Sequence, residues 1–169
     1  VLARFEHTGI VSLATAIELG MVGPAARASG RDMDSRRDFP VEGEDVTCGP
    51  VAVQESGDVF ARAYVRWLEI RQSAELIRRQ LAALPAGPIA APCGLPAPNA
   101  LVVSISEGWR GEIVHVAETD AAGRFARYKV VDPSFHNWMG LALALRGMEI
   151  SDFPLCNKSF NLSYGGHDL

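Results

Sequence analysis

The sequence predicts an α+β fold, helices flanking a small antiparallel sheet, on three observations. A three-and-four-residue apolar repeat runs over about 58–84, period-two alternation begins at Leu101, and helical patterning returns after Asp132-Pro133. Elements of one kind come in blocks instead of alternating as in a doubly wound sheet. The 169 residues suffice for one domain or at most two small ones. With 48% hydrophobic and 21% charged residues, the composition is that of a protein with a packed core. No apolar run approaches the roughly 20 residues that span a bilayer.

In chain order, residues 1–57 are rich in Gly, Pro and charge and are expected to be irregular apart from one short helix. Ser12 is its N-cap, the run from Leu13 to Leu19 its body and Gly20 its stop. Residues 28–38 crowd opposite charges together, and Pro40, Gly43, Gly49 and Pro50 then break any regular element. The helix over 58–84 has Asp58 near its start and Arg78 and Arg79 near its end, as the macrodipole favours. Phe60, Ala63/Tyr64, Trp67, Ile70, Ala74, Ile77, Leu81 and Leu84 fall on one stripe, the expected buried face. Five prolines between 85 and 98 make the next stretch an extended connector. Residues 101–106, 112–118 and 125–131 read as three strands, with a hairpin loop at 120–123. Asp132 or Ser134 caps a helix over about 134–146, with Phe135, Trp138, Leu141, Ala142 and Leu145 facing inward and Gly147 closing it. A last helix is expected from Ser151-Asp152-Phe153-Pro154, with the proline in its first turn, to about Phe160.

The formal net charge is −4, which argues against nucleic-acid binding by bulk electrostatics. Of the 16 basic residues only Lys129 and Lys158 are lysines, which coding bias toward arginine explains. The three cysteines, Cys48, Cys93 and Cys156, form no CxxC pair, so neither a disulfide framework nor a thiolate metal site is visible. A reducing, cytoplasmic setting fits that pattern. The sequence contains no phosphate loop, no GxGxxG and no HExxH. The start Val1-Leu2-Ala3-Arg4, with no initiator methionine and no signal peptide in view, reads as the interior of a longer protein.

Six segments carry a family resemblance. They are Thr8-Gly9-Ile10-Val11-Ser12; Gly23-Pro24-x-x-Arg27-Ala28-Ser29-Gly30 with Asp34-x-Arg36-Arg37-Asp38; and Gly57-Asp58-Val59-x-Ala61-Arg62 with Glu69-x-Arg71-Gln72-Ser73. Then come Glu107-Gly108-Trp109-Arg110-Gly111-Glu112-x-x-His115, Asp132-Pro133-Ser134-Phe135-x-Asn137-Trp138, and the run from Asp152 to Tyr164. Together, in one order, they resemble the large subunit of energy-converting nickel–iron hydrogenases of the formate-hydrogenlyase type. They also resemble its metal-free relative, the 49-kDa quinone-site subunit of respiratory complex I. The resemblance implies the C-terminal part of such a subunit over 1–169: a helical portion with its connector over 1–98, then the small sheet and C-terminal helices over 99–169.

In the hydrogenase branch the nickel–iron centre hangs from two CxxC pairs, because both metals favour polarisable thiolates. By spacing, the late pair falls here on Ser163 and Gly166, so the resemblance implies no metal ligands in this segment and no hydrogen activation. It also implies that Arg110 lies beside the former metal site, where a fixed cation favours anionic ligands and helps move a proton. Glu107, Glu112 and His115 belong to the same segment, and Glu107, Arg110 and His115 join Asp34 as the candidate pocket. The alternative is that Glu107 and Arg110 are a plain ion pair shaping the corner at Gly108 and Gly111. In the complex I branch the Asp34 position holds a histidine, outside these residues, that contacts the quinone headgroup. The alternative for Asp34 is a salt-bridge knot with Arg31, Asp32, Arg36, Arg37 and Asp38. His136 and His167 lack a second ligand at metal spacing and read as structural or solvated. Cys156 reads as a buried inert thiol, and Trp67, Trp109 and Trp138 as core or interface residues. Ser12, Ser134 and Ser159 show no Ser-His-Asp order.

The expected function is therefore that of an oxidoreductase subunit in a membrane-associated redox complex, of the NADH dehydrogenase or formate hydrogenlyase type, passing electrons to quinone. It has no nickel–iron centre and no tightly bound cofactor. NADH, bound elsewhere in the complex, or another donor feeds it, and a [4Fe-4S] cluster sits in an iron–sulfur small subunit beside it. Membrane subunits complete the assembly, at the cytoplasmic face of the inner membrane, with no nucleic acid involved. Quinone binding is expected only of the full-length protein. The alternative is a non-catalytic scaffold or assembly module derived from the same family. Either way, the isolated residues are expected to self-associate.

Overall fold

A computed structural model describes residues 2–40 and 49–168, except for the side chains of His167 and Asp168; Gly43 and Cys48 lie outside the described residues. Among the described residues no helix is long and apolar enough to cross a membrane. A 3-10 turn at Leu2–Arg4 leads to α1 (Leu13–Glu18), α2 (Gly23–Arg27), α3 (Ser35–Asp38) and α4 (Val59–Ala82). Strands β1 (Leu101–Gly108), β2 (Gly111–Thr119) and β3 (Phe125–Val131) follow, then α5 (Pro133–Ala144) and α6 (Phe153–Phe160) between short 3-10 turns at Ile150–Asp152 and Gly165–Asp168. The architecture is α+β, as the block pattern predicts.

Capping residues explain most boundaries. Side chains of Ser12, Asp58 and Asp132 accept from backbone N–H groups in the first turns of α1, α4 and α5. Helix α6 ends on Asn161 in the left-handed conformation, φ 55°. Helices α2 and α3 stand in a stretch that the sequence reads as irregular. Gly23-Pro24 there opens a helix instead of breaking one, since the fixed φ of proline suits the first turn.

The sheet is antiparallel in the order β1-β2-β3. Pairing from Leu101↔Glu118 to Gly108↔Gly111 leaves Trp109-Arg110 as a two-residue turn. That turn is welded to α2 by backbone contact. Gly23 and Gly111 adopt φ +65° and +132°, and a Cβ on Gly23 would lie 2.3 Å from the Arg110 carbonyl oxygen. Away from this corner the sheet is largely exposed, Leu101, Val102, Val103, Phe125 and Tyr128 included.

The main core gathers Val11, Ala16, Met21, Ala25, Ala26, Val59, Leu141, Ala144, Cys156, Phe160 and Leu162. A smaller cluster joins Ala28, Ala52, Ala61 and Val65. Two expected faces differ. Helix α4 buries Val59, Ala61, Arg62, Val65 and Arg66, not the aromatic stripe: Tyr64, Trp67, Ile70, Ile77, Leu81 and Leu84 are exposed. Periodicity marks a face that gains from burial, but burial needs a surface opposite, and α2 and α6 lie against the other side. On α5, Leu141 is buried, and Trp138 and Leu145 pack on the core in part. Phe135 and Ala142 point outward, because Asn137 and Gly140 take the inner line. The Asn137 amide binds both the N–H and the carbonyl of Val22 at 3.0 and 3.1 Å, and Gly140 gives room to Met21.

Candidate functional site: a buried charge cluster at the sheet corner

Where α2, α3, α4 and the end of β1 meet, one arginine holds two carboxylates. Arg27, the last residue of α2, has a side chain 1% exposed. Its Nε donates to Glu69 Oε1 at 2.8 Å, its Nη1 to the Met33 carbonyl at 2.8 Å and its Nη2 to Glu107 Oε1 at 2.9 Å. The second Glu107 oxygen accepts from the Ser35 N–H at 3.1 Å and the Ser35 hydroxyl at 2.8 Å. Both oxygens of Glu107, 6% exposed, are thus held by fixed donors. A buried guanidinium is tolerable only when so paired. Glu69 is raised above its ordinary value by burial, with Arg27 opposing.

Asp34 is the N-cap of α3, immediately before Ser35. Its Oδ1 accepts from the Arg36 N–H at 3.0 Å and from Arg36 Nε at 2.8 Å, and Oδ2 pairs with Arg36 Nη2. Burial pushes this carboxyl up, but the hydrogen bonds and charge of Arg36 outweigh it, and the net shift is downward. Asp34 is therefore an ionised group on a short helix, one residue from the Glu107 clamp.

A column of arginines lies beside the cluster and holds the C-terminal end of α6. Arg62 donates to the carbonyls of Gly57 and Gly9 at 2.6 and 2.9 Å and to the Ser159 hydroxyl at 2.8 Å, its guanidinium 4.4 Å from the centre of the Phe160 ring. Arg66 donates to the carbonyls of Ser159 and Phe160, and Arg110 Nε to that of Asn161. Unpaired carbonyls at a helix C-terminus favour cations. Burial lowers both Arg62 and Arg66 to about 10, which leaves them charged at neutral pH. Arg66 Nε has no hydrogen-bond partner among the described residues.

The segment after α6 lies within reach of this corner. The Ser163 N–H donates to Ser134 Oγ at 2.9 Å, and Ser163 Oγ accepts from the Gly166 N–H at 3.0 Å. A Cβ on Gly166 would lie 2.5 Å from the Asp132 carboxylate. Positions 163 and 166 therefore do not fit a nickel–iron centre: one hydroxyl is committed to the backbone, and the other position has neither a side chain nor space for one. Among the described residues no group of three or more His, Cys, Asp or Glu is placed to hold a metal.

Of the candidate residues, the structure brings Asp34 and Glu107 together through Ser35 and sets Arg110 at the adjoining turn. His115 stands apart: it pairs across the strands with Ser104, and its Nδ1 lies 2.7 Å from the Tyr128 hydroxyl, over an exposed apolar cleft. Glu107 is bound by Arg27 and Ser35, while Arg110 Nε is bound to the Asn161 carbonyl, so the expected Glu107–Arg110 ion pair gives way to two separate anchors. The charge knot forms in part, with Arg36 on Asp34 and Arg37 on Asp32 and Asp38, while Arg31 donates to the Met21 carbonyl. Cys156 is buried and its thiol is pushed up by burial; Cys93 is exposed. Arg27, Arg62 and Glu69 stand in the family segments without being read as site residues, and neither Ser35 nor Arg66 is named there. The signal was the spacing of 62, 66 and 69, a charged helical face opposite the aromatic one.

The family model described as the respiratory-chain NADH dehydrogenase 49-kDa subunit matches residues 1–93 and 90–169. The chain is 36% identical over 158 residues to the carbon monoxide-induced hydrogenase of Rhodospirillum rubrum, covering 94% of this chain and 44% of that protein. It is 30% identical over 194 residues to a subunit of the NADH-quinone oxidoreductase of Geobacter metallireducens, covering 99% and 50%. Its fold is similar to a chain in the structure of the membrane-bound sulfane sulfur reductase, an archaeal respiratory membrane complex: TM-score 0.88, 24% identity, 99% of this chain and 47% of that one. The chain spans about half the length of the curated relatives it matches.

Proposed function

The chain belongs to the family of the 49-kDa subunit of respiratory-chain NADH dehydrogenase, and from that premise we propose that it forms part of a subunit of a membrane-associated redox complex, serving electron transfer to quinone without a nickel–iron centre. Its relatives include an NADH-quinone oxidoreductase subunit and a hydrogenase. The observation that carries the reading is the Glu107–Arg27–Ser35 clamp next to Asp34: the corner is built to hold one ionised carboxylate in place, and needs no metal to do so. In this reading Asp34 is a positioning residue. Kept ionised by Arg36, it orients a histidine supplied by the rest of the subunit, and that histidine delivers a proton as quinone is reduced. Arg27, Glu69 and Glu107 fix the backbone of α3 so that the carboxylate cannot drift, and Arg110 ties the turn to the end of α6. The iron–sulfur partner carrying a [4Fe-4S] cluster, the membrane subunits, an electron donor such as NADH and a peripheral place on the cytoplasmic face all belong to this proposal.

The test is turnover from donor to quinone in membranes from cells lacking the gene, rescued with wild-type protein or with Asp34→Asn. The expected outcome is loss of turnover in the deletion strain, and in the variant a fall of about 10²-fold, the usual scale for a disturbed proton donor, with the complex still assembled. Unchanged turnover in the deletion strain overturns the reading. A second reading, a non-catalytic scaffold, is favoured by Ser163 and Gly166 standing at the late ligand positions. It predicts that Asp34→Asn leaves turnover of the assembled complex unchanged. Stoichiometric nickel in the purified protein would contradict both.

A further inference from the structure

The sheet carries a cleft of about 290 Å³ that shares no residue with the charge cluster. Strand alternation sets its floor: Ser104 pairs with His115, and Ala117 with both Val102 and Tyr128, so all five share one face. The end of the proline-rich connector closes one side. The Ala97 carbonyl accepts from the Thr119 hydroxyl at 2.6 Å, and a Cβ on Gly123 would lie 2.4 Å from the Pro96 carbonyl oxygen. The other side is aromatic: Phe125, Tyr128 and His115 meet edge to face, with ring centres 5.5 and 5.8 Å apart. Among the described residues no Asp, Glu, Lys or Arg lines the cleft. Its polar groups are few. Thr119 is spent on the backbone, donating to Ala97 and accepting from the Ala100 N–H at 2.9 Å. Ser104 makes no side-chain hydrogen bond among the described residues. His115 Nδ1 and the Tyr128 hydroxyl are bound to each other at 2.7 Å. If the hydroxyl donates, the Nε2 proton stays free and the phenolic oxygen can still accept. If the ring donates, the hydroxyl proton stays free and Nε2 accepts. In either tautomer the pair keeps one donor and one acceptor.

We infer that this cleft binds a small uncharged aromatic molecule bearing a hydroxyl group, one or two fused rings in size. An apolar recess with a few converging polar groups is the usual form of a small-molecule site, and this volume lies near the lower limit of roughly 300 Å³. The rings lie over Val102 and Ala117 against Phe125 and Tyr128. The hydroxyl meets the His115–Tyr128 pair, giving its proton to the acceptor and taking one from the donor, with Ser104 beside it as a further partner. A hydroxyl uses both halves of the pair, whereas a ring carbonyl uses only the donor. A charged ligand is disfavoured, because no countercharge lines the walls. The inference does not rest on the redox reading, since none of these side chains belongs to the clamp around Asp34.

The test is photolabelling of the intact complex, purified from its own membranes, with an aryl-azide derivative of naphthol, the labelled peptides being read by mass spectrometry. Label is expected within 97–104 or 115–128, the strands and connector end that line the cleft. Excess naphthol should displace it, and unsubstituted naphthalene should compete about tenfold or more less well, the scale of the hydrogen bonds it cannot make. Tyr128→Phe in the assembled complex should weaken competition by naphthol by a similar factor, and Ala117→Phe, which fills the floor, should abolish the label. Equal competition by naphthalene overturns the hydroxyl-bearing class, and so does stronger competition by naphthoquinone. Label confined to the Asp34 corner or to other subunits, or no label because a partner subunit covers the cleft, overturns the site. Labelling is read without turnover, so its failure is distinct from failure of the redox reading.

Discussion

The two ends of helix α4 invert the usual arrangement. Its first two turns, up to Arg66, are largely buried, and much of what they bury is charged or small: Ala61, Arg62, Val65 and Arg66. Its last four turns carry the large apolar residues and bury none of them. The difference shows that burial follows the partner surface rather than the side chain alone. Arg62 and Arg66 are held inside because backbone carbonyls of Gly9, Gly57, Ser159 and Phe160 wait there to accept from them. Ile77 and Leu81 stay outside because nothing among the described residues covers them. The anchored end is specified by polar complementarity and the free end by apolar supply.

The contrast is broken most severely at its anchored end. Arg27→Ala removes the cation between Glu69 and Glu107 and is expected to cost about 3–5 kcal/mol, the scale for leaving buried carboxylates unpaired; urea unfolding of the purified chain measures it, and a change below about 1 kcal/mol would show the cluster to be incidental. Hydrogen exchange sharpens the comparison next. Amides from Arg62 to Arg66 are expected to exchange at least about 10²-fold more slowly than those from Ile77 to Ala82 in the isolated chain.

A smaller effect lies in the pH dependence. Glu69 is raised above its ordinary 4.5, so the folded state binds this proton more tightly than the unfolded one, and stability from this group falls as pH rises from about 4.5 through the folded value. Glu69→Gln should flatten that slope in urea midpoints measured across the window. Asp34 has the opposite sign. Its carboxyl lies below the ordinary 3.8, so its contribution is present above that pH and is lost as pH falls through the lower folded value; Asp34→Asn should remove only this acid limb. The smallest change is expected at the free end. Trp67→Ala gives up a stacking contact and the guanidinium of Arg71, 4.9 Å from its ring centre, for about 1 kcal/mol or less in the isolated chain.

Much of this was legible in the sequence. The order of elements followed from periodicity and caps, and α1, α4, α5 and α6 start where a Ser, an Asp or a first-turn proline marks them. Helix α3 was hidden, since Ser35-Arg36-Arg37-Asp38 is too short to show a period and is capped by Asp34 alone. Asp34 and Glu107 were found because they stand in family motifs. Their link was not, because Ser35 touches Glu107 across 72 residues of sequence and no local pattern records such a contact. The inverted burial of α4 was illegible for another reason: an apolar stripe looks the same whether its cover lies nearby in the chain or elsewhere.

The back-to-back glycines at the corner carry a lesson about inheritance. Gly23 and Gly111 hold α2 against the turn through main-chain atoms alone, so the placing of Arg110 owes nothing to any group that reacts. A frame fastened by bare backbone presents the same arginine at the same spot whatever the side chains around it become. Replacing either glycine should therefore displace Arg110 by a steric route, whatever chemistry the corner serves.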